Sequence, residues 1–364
     1  MTTADNQRPL SGALLGRSFV HPVFDYMLIG GGLSLVVTLV VVARQSPSMI
    51  APSVLPVFLL IFNSAHFSAS TVRLYTKPGA YRSLPFLTMA FPLITMVVLT
   101  VCIHFPDKMG PFITKLYLTW SPYHYAAQAY GLAVMYAYRS GCLLGATDKR
   151  LLWWVSMLAF FHTFLDGEDI GLRWLMSAEQ IRSQSWLPDT LTVANTALKY
   201  LAFCAPPVLF VKIWWGKSGP MPFISMLTIV TNGVWFFVLS PFDAFVWATI
   251  FHSVQYIAIV VIFHLKDQMA LDGNRHGPLY HVAGFYAKCV GLGYGLFMCV
   301  PWAFQLVGYG PVESALLVVA VINVHHFVVD QYIWRLKKTD GNRTIVDSQS
   351  PAQADVAVTG GAGV

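Results

Sequence analysis

The chain has 364 residues, of which 56% are hydrophobic and 11% charged, and its mean hydropathy is +0.58. A soluble domain carries about 25% charged residues, so the composition excludes a mainly soluble protein and predicts an all-α, polytopic integral membrane helix bundle. The net charge of +6 is scattered between apolar runs, which argues against a nucleic-acid-binding surface and fits the bias of cytoplasmic loops.

Residues 1–18 are polar, carry two arginines and read as a disordered lead without a cleavable signal peptide. Residues 19–336 hold ten apolar runs, each long enough or nearly so to cross about 30 Å of hydrocarbon. They are Phe24–Ala43, Val54–Val72, Leu84–Phe105, Phe112–Tyr136, Leu151–Leu165, Tyr200–Trp215, Phe223–Leu239, Ala244–Phe263, Val282–Val307 and Ser314–Trp334. The fifth is short and the sixth contains Pro206 and Pro207, so kinked or partly interfacial segments are expected there. Asp166 to Ala197 is the only sizeable loop, and residues 337–364 lack periodicity and read as a disordered tail. With ten spans, most of the 23 Lys and Arg residues fall on one side. This predicts an integral protein, of a bacterial inner membrane, with both termini cytoplasmic. The five cysteines form no metal-binding or CxxC spacing and read as buried free thiols.

Polar groups within the apolar runs carry the chemistry. The last run contains Asn323, His325, His326 and Asp330. Residues three or four apart share a helix face, so Asn323, His326 and Asp330 form one stripe, with His325 about 100° away. Placed by depth, His21, His66, His124, His252, His325 and His326 lie between mid-bilayer and the inner face, on five different helices. Such a level of agreement suggests a metal centre or polar cavity. Ligating imidazoles need their second nitrogen held by a neighbour. Asp25, Asn63, Gln128, Gln255 and Asn323 each lie one turn from one of these histidines, as do Tyr256 and Asp330. His104 and His162 lie at outer ends, the latter near Asp166, while His264, His276 and His281 are expected to be solvated.

Imidazoles with carboxylates and no thiolate suit Fe, Zn, Cu or Mn. No GxSxG or Cys–His pairing suggests a hydrolase, and the histidine boxes of membrane desaturases are absent. Non-haem iron acting with O₂ on an apolar, lipid-like or isoprenoid substrate is the expected chemistry, by oxygenation or desaturation. Tyr256 and Asp330 are the expected catalytic side chains, and Tyr123, Tyr125 and the tryptophans are expected to shape the pocket. Substrate would enter from the bilayer, and the sequence carries no signature of an electron donor. Haem ligated by paired histidines is the alternative cofactor. A metal or proton relay through the membrane is the third class.

Four short motifs resemble the Brp/Blh family of membrane β-carotene dioxygenases: His21 with Asp25, His66-Phe67, Phe251-His252-Ser253, and His325 with Asp330 ahead of Trp334-Arg335. The resemblance implies a polytopic fold, a histidine-held non-haem iron, oxidative cleavage of a double bond, and His21, His66 and His252 as ligands. The sequence departs from the family at Tyr256, where the pattern has a second histidine, and it adds His124 and a doubled His325-His326. His124 or His326 would then take the vacant coordination position.

Overall fold

The computed structural model describes residues 10–44, 59–167, 170–239, 241–334 and 341–347. Ten principal helices organise the chain: α1 (Gly32–Arg44), α2 (Ala65–Thr76), α3 (Phe91–His104), α4 (Pro106–Arg139), α5 (Ala146–Asp166), α6 (Leu187–Trp214), α7 (Phe223–Val238), α8 (Pro241–Met269), α9 (Pro278–Tyr294) and α10 (Pro311–Ile333). No strand occurs among the described residues. Each of the ten apolar runs overlaps one of these helices, although the start of the second run lies outside the described residues.

Length and hydropathy single out five candidate membrane spans: Phe86–His104, Leu187–Trp214, Asp243–Met269, Pro278–Leu306 and Pro311–Ile333. Pro22–Ile29 and Gly32–Arg44, bent by 53°, form a sixth if counted as one span. By this measure five or six of the ten expected spans stand. α4 is long enough but carries Lys108, Lys115, Ser121, His124 and Gln128, which dilute its apolar character. Helix starts follow their local chemistry. Pro311 occupies the first turn of α10 and Pro278 that of α9, where a missing N–H goes unneeded.

The helices form two shells. α10 packs on α2, α3 and α4; α8 packs on α2, α7 and α9; α7 packs on α4. The inner group is therefore α2, α4, α8 and α10. Outside it, α6 packs on α5 and leaves Val193, Leu201, Phe203, Val208 and Val211 exposed. α3 does the same with Leu93, Ile94 and Val97. Contiguous exposed apolar faces of this kind suit lipid as the surrounding solvent.

Several boundaries differ from the sequence expectation. α6 begins at Leu187, well before Tyr200, because the polar residues of the expected loop are compatible with an exposed helical face. The rest of that loop holds short helices at Leu172–Leu175 and Ala178–Ser183, the second with a Ser177–Gln180 capping box. The described part of the N-terminal lead is also structured. Leu10–Leu15 is helical, Phe19 is buried, and Arg139 Nε donates to the Ser18 carbonyl at 2.9 Å. In the tail, Gly341–Asp347 is a helix that buries Ile345 and Val346 against Met135, Tyr136 and Phe263. Residues 1–9 and 348–364 lie outside the described residues. Of the thiols, Cys102, Cys142 and Cys289 are buried, whereas Cys204 and Cys299 are exposed on outward helix faces.

Candidate metal centre

One histidine from each inner helix meets at a common point: His66 from α2, His124 from α4, His252 from α8 and His326 from α10. All four are buried, and one ligand nitrogen from each lies within 4.8 Å of the others. The rings form a closed quadrilateral. Centroids are 4.8 Å apart for His66–His252, 5.0 Å for His252–His124, 4.9 Å for His124–His326 and 4.4 Å for His326–His66. Metal–imidazole bonds of about 2.1 Å place ligand nitrogens roughly 3–4.2 Å from one another, so a spread of up to 4.8 Å is close to, and slightly wider than, that of a single-ion site. No other group of three or more metal-binding side chains gathers in this way among the described residues.

Hydrogen bonding fixes which nitrogen of His326 faces the centre. The Ser70 hydroxyl donates to the Phe67 carbonyl at 3.1 Å, so its oxygen accepts from His326 Nδ1 at 2.9 Å. The lone pair of His326 is then on Nε2, which lies 3.2 Å from His124 Nε2. Both nitrogens of His66 and Nε2 of His252 are buried with no hydrogen-bond partner. Orphaned polar atoms in a dry interior are unfavourable by about 1–3 kcal/mol each; a bound cation would remove that penalty for His252 Nε2 and for one of the two His66 nitrogens, the other remaining an N–H without an acceptor. The donor set therefore fits a metal.

Asp330 adds a carboxylate one turn beyond His326. Its Oδ1 accepts from the Tyr256 hydroxyl at 2.5 Å, while Oδ2 lies 3.7 Å from His124 Nε2 and 3.6 Å from His326 Nε2. Rings close the wall around the imidazoles. Phe327 stacks on His124, Tyr125 lies against His252, and Tyr256 stands perpendicular to His66.

Two expected ligands sit elsewhere. His21 is exposed, and its Nδ1 accepts from Val23 N at 3.2 Å, capping the helix Pro22–Phe24. His325 points away from the cluster, as its 100° offset from His326 requires. It stacks on Phe91 and bonds Thr95 Oγ1 through Nδ1 at 2.7 Å. Of the expected supporting residues, Asp25 is consumed by the backbone N–H groups of Phe19, Val20 and His21 and by the Tyr136 hydroxyl. Asn63 is only half-buried and accepts from Ser253. Asn323 donates to the Val319 carbonyl at 2.7 Å and leaves its Oδ1 unpartnered. Gln128 donates to Gln255 at 2.9 Å, and Gln255 donates to the Ile29 carbonyl at 2.5 Å. Ser70, one turn from His66 on α2, bonds His326 across the helix interface. His162 pairs with Asn195 and not with Asp166, and His264 is buried against Phe285 and not solvated.

A cavity of about 460 Å³ opens beside the cluster, between α4, α8 and α10. Trp120, Tyr123, Tyr130, Phe327 and Trp334 line it, and His124, Tyr256 and Asp330 form its wall toward the histidines. Gln331 also lines it, at an exposed position that spacing alone would not single out. A second gap of about 30 Å³, bounded by Ser34, Thr231, Asn232, His252 and Gln255, lies against His252. On the other side of the cluster along α10, Leu99, Ile103, Ile113, Leu317, Val318 and Val321 pack into an apolar seal.

Local backbone features set these positions. A π-helical segment, Leu59–Ser64, leads directly into α2 ahead of His66. Gly293 lets α9 approach it: a Cβ there would lie 2.9 Å from the Ser64 carbonyl carbon and oxygen. Gly31, at φ +81°, turns the chain into α1, and a Cβ there would lie 2.4 Å from Thr231 Oγ1.

No family model, curated protein or solved structure matches this chain.

Proposed function

We propose that the chain is a membrane-embedded non-haem iron oxygenase, or a desaturase of related chemistry, acting on an apolar lipid-like or isoprenoid substrate. The observation that carries this reading is the meeting of four buried imidazoles, three of their nitrogens orphaned, at the wall of an aromatic cavity. His66, His124, His252 and His326 would hold the ion, with Asp330 within reach as a fifth ligand or as its neighbour. Iron held by these residues would supply redox chemistry with O₂ beside the cavity.

The protein's own groups prepare the rest. Ser70 orients His326, and Tyr256 orients the Asp330 carboxylate. Asp330 Oδ2 can hold a proton where cavity and imidazoles meet. The aromatic lining excludes water and presents flat surfaces to an unsaturated chain. Trp120, Tyr123 and Tyr130 are half-buried along one side of α4, which supports entry of substrate from the bilayer. The shared elements around His66, His252 and Asp330 support a distant relation to the Brp/Blh dioxygenases, without His21 as a ligand. The ten-span arrangement with both termini cytoplasmic remains part of the proposal.

Four ligand nitrogens closing on one point leave no room for a porphyrin plane, which favours a bare ion over haem. The apolar seal across α3, α4 and α10 disfavours a proton or metal relay running through the membrane. Metal analysis and absorption spectroscopy of protein purified in detergent test the proposal. Iron near one per chain with no Soret band, and O₂ uptake that depends on an added isoprenoid, are the expected results. A Soret band, or protein free of transition metal, would overturn it.

A further inference from the structure

The cavity contains a polar feature that a purely hydrocarbon ligand would leave unused. Gln128 lines it one turn from His124, and the Gln128 Oε1 atom is buried without a hydrogen-bond partner. The orientation of this amide is set by a chain of donors. The bend at Gly30–Gly31 leaves the Ile29 carbonyl as an acceptor, and Gln255 Nε2 donates to it. Gln255 Oε1 then faces Gln128 and accepts from its Nε2. A carbonyl oxygen can only accept, so flipping either amide would break the chain. Gln128 Oε1 is thereby fixed as an acceptor with no donor among the described residues.

We propose that the substrate of this site carries a hydrogen-bond donor, a hydroxyl on an otherwise apolar chain, and that Gln128 Oε1 accepts from it. The inference rests on the cavity being the substrate site of the proposed oxygenase. Gln128 acts as a specificity residue: it places the hydroxyl end one helical turn from His124 and so fixes which part of the chain faces the metal centre. A hydrocarbon of the same shape leaves a buried acceptor unsatisfied, which is unfavourable. The cavity, about 460 Å³, lies within the usual range of small-ligand pockets. That size suits a short isoprenoid alcohol.

The test uses full-length protein in lipid nanodiscs, with farnesol and farnesyl methyl ether as probes. The ether keeps the chain and the oxygen and removes only the donor. Radiolabelled binding is corrected with empty discs. Wild-type protein should prefer farnesol by about tenfold, the scale of one buried hydrogen bond. Gln128→Met, close in volume, should erase that preference by weakening farnesol alone. Gln255→Met, which releases the Gln128 amide from its orienting partner, should reduce it. Equal binding of the two probes by wild type, or a full preference surviving in Gln128→Met, overturns the proposal. If Gln128→Met does not fold, an undiminished preference in Gln255→Met overturns it instead. Metal content is measured on the same samples. A metal-free wild type that still prefers farnesol defeats the oxygenase reading alone, and a metal-loaded protein indifferent to the hydroxyl defeats only the role of Gln128.

Discussion

His66 is the clearest single residue in the molecule. It is fully buried, ringed by three other imidazoles, and neither ring nitrogen has a hydrogen-bond partner. His325 has similar burial but a full set of local contacts with Thr95 and Phe91. The two should therefore respond differently to alanine. His325→Ala is expected to keep the metal and lower thermal stability by about 1–2 kcal/mol, the scale of a lost buried hydrogen bond, as read by a melting curve and metal analysis. Tyr256→Phe removes the hydroxyl that holds Asp330 Oδ1. It should retain the metal while lowering turnover about tenfold to a hundredfold, the scale of a lost positioning bond; unchanged turnover would detach the pair from the chemistry. Depth along a helix was readable from sequence, and it brought His66, His124, His252 and His326 to one level. Depth does not give azimuth, and azimuth alone separates His325 from His326. Spacing likewise does not show that His21 and Asp25 are both engaged by backbone N–H groups at a chain entry.

At the scale of the element, helix approach and helix ends matter most. Gly293 sits against the backbone of Ser64, two residues before His66. Gly293→Ala must push α9 from α2, at a cost of about 1–3 kcal/mol for overpacking, and should weaken metal retention without touching a ligand. Gly291→Ala, with nothing near its Cβ position, is the control and should be silent in the same metal assay. Glycine spacing alone does not distinguish Gly291 from Gly293, since the difference depends on which face meets α2. At the start of α5, Asp148 accepts from Lys212 Nζ on α6 at 2.5 Å, and this hydrogen bond holds the Asp148 carboxyl below its ordinary value. A depressed carboxylate contributes stability above its unfolded pKa, near 4, and loses it as pH falls through the native value. The pair is partly exposed, so its worth is about 0–1 kcal/mol. Lys212→Ala should lower the melting temperature slightly at pH 7 and leave it unchanged at the acid end of that titration.

At the scale of the whole molecule, the helical class and the apolar runs followed from composition and periodicity. The treatment of the chain ends did not. The guanidinium of Arg139 lies over the Phe19 ring at 4.4 Å, donates to Ser18 O, and reaches the Val346 carbonyl at 3.1 Å, so one side chain ties both ends to α4. Short polar segments with a few apolar residues look unstructured when no partner is known, and their order depends on this long-range clamp. Arg139→Ala should lower stability by about 3 kcal/mol, leaving several buried carbonyls without donors, and should make residues 341–347 accessible to protease in a limited digest. The inner and outer shells also have different duties. α2, α4, α8 and α10 hold the polar centre, while α3 and α6 present apolar faces outward. The measurement that tests this arrangement most directly is the metal content of detergent-purified protein across single alanine variants. Wild type and His21→Ala should carry about one ion per chain, and His66→Ala, His124→Ala, His252→Ala and His326→Ala should each lose most of it. Full metal content in folded His66→Ala and His252→Ala protein would contradict the shared centre.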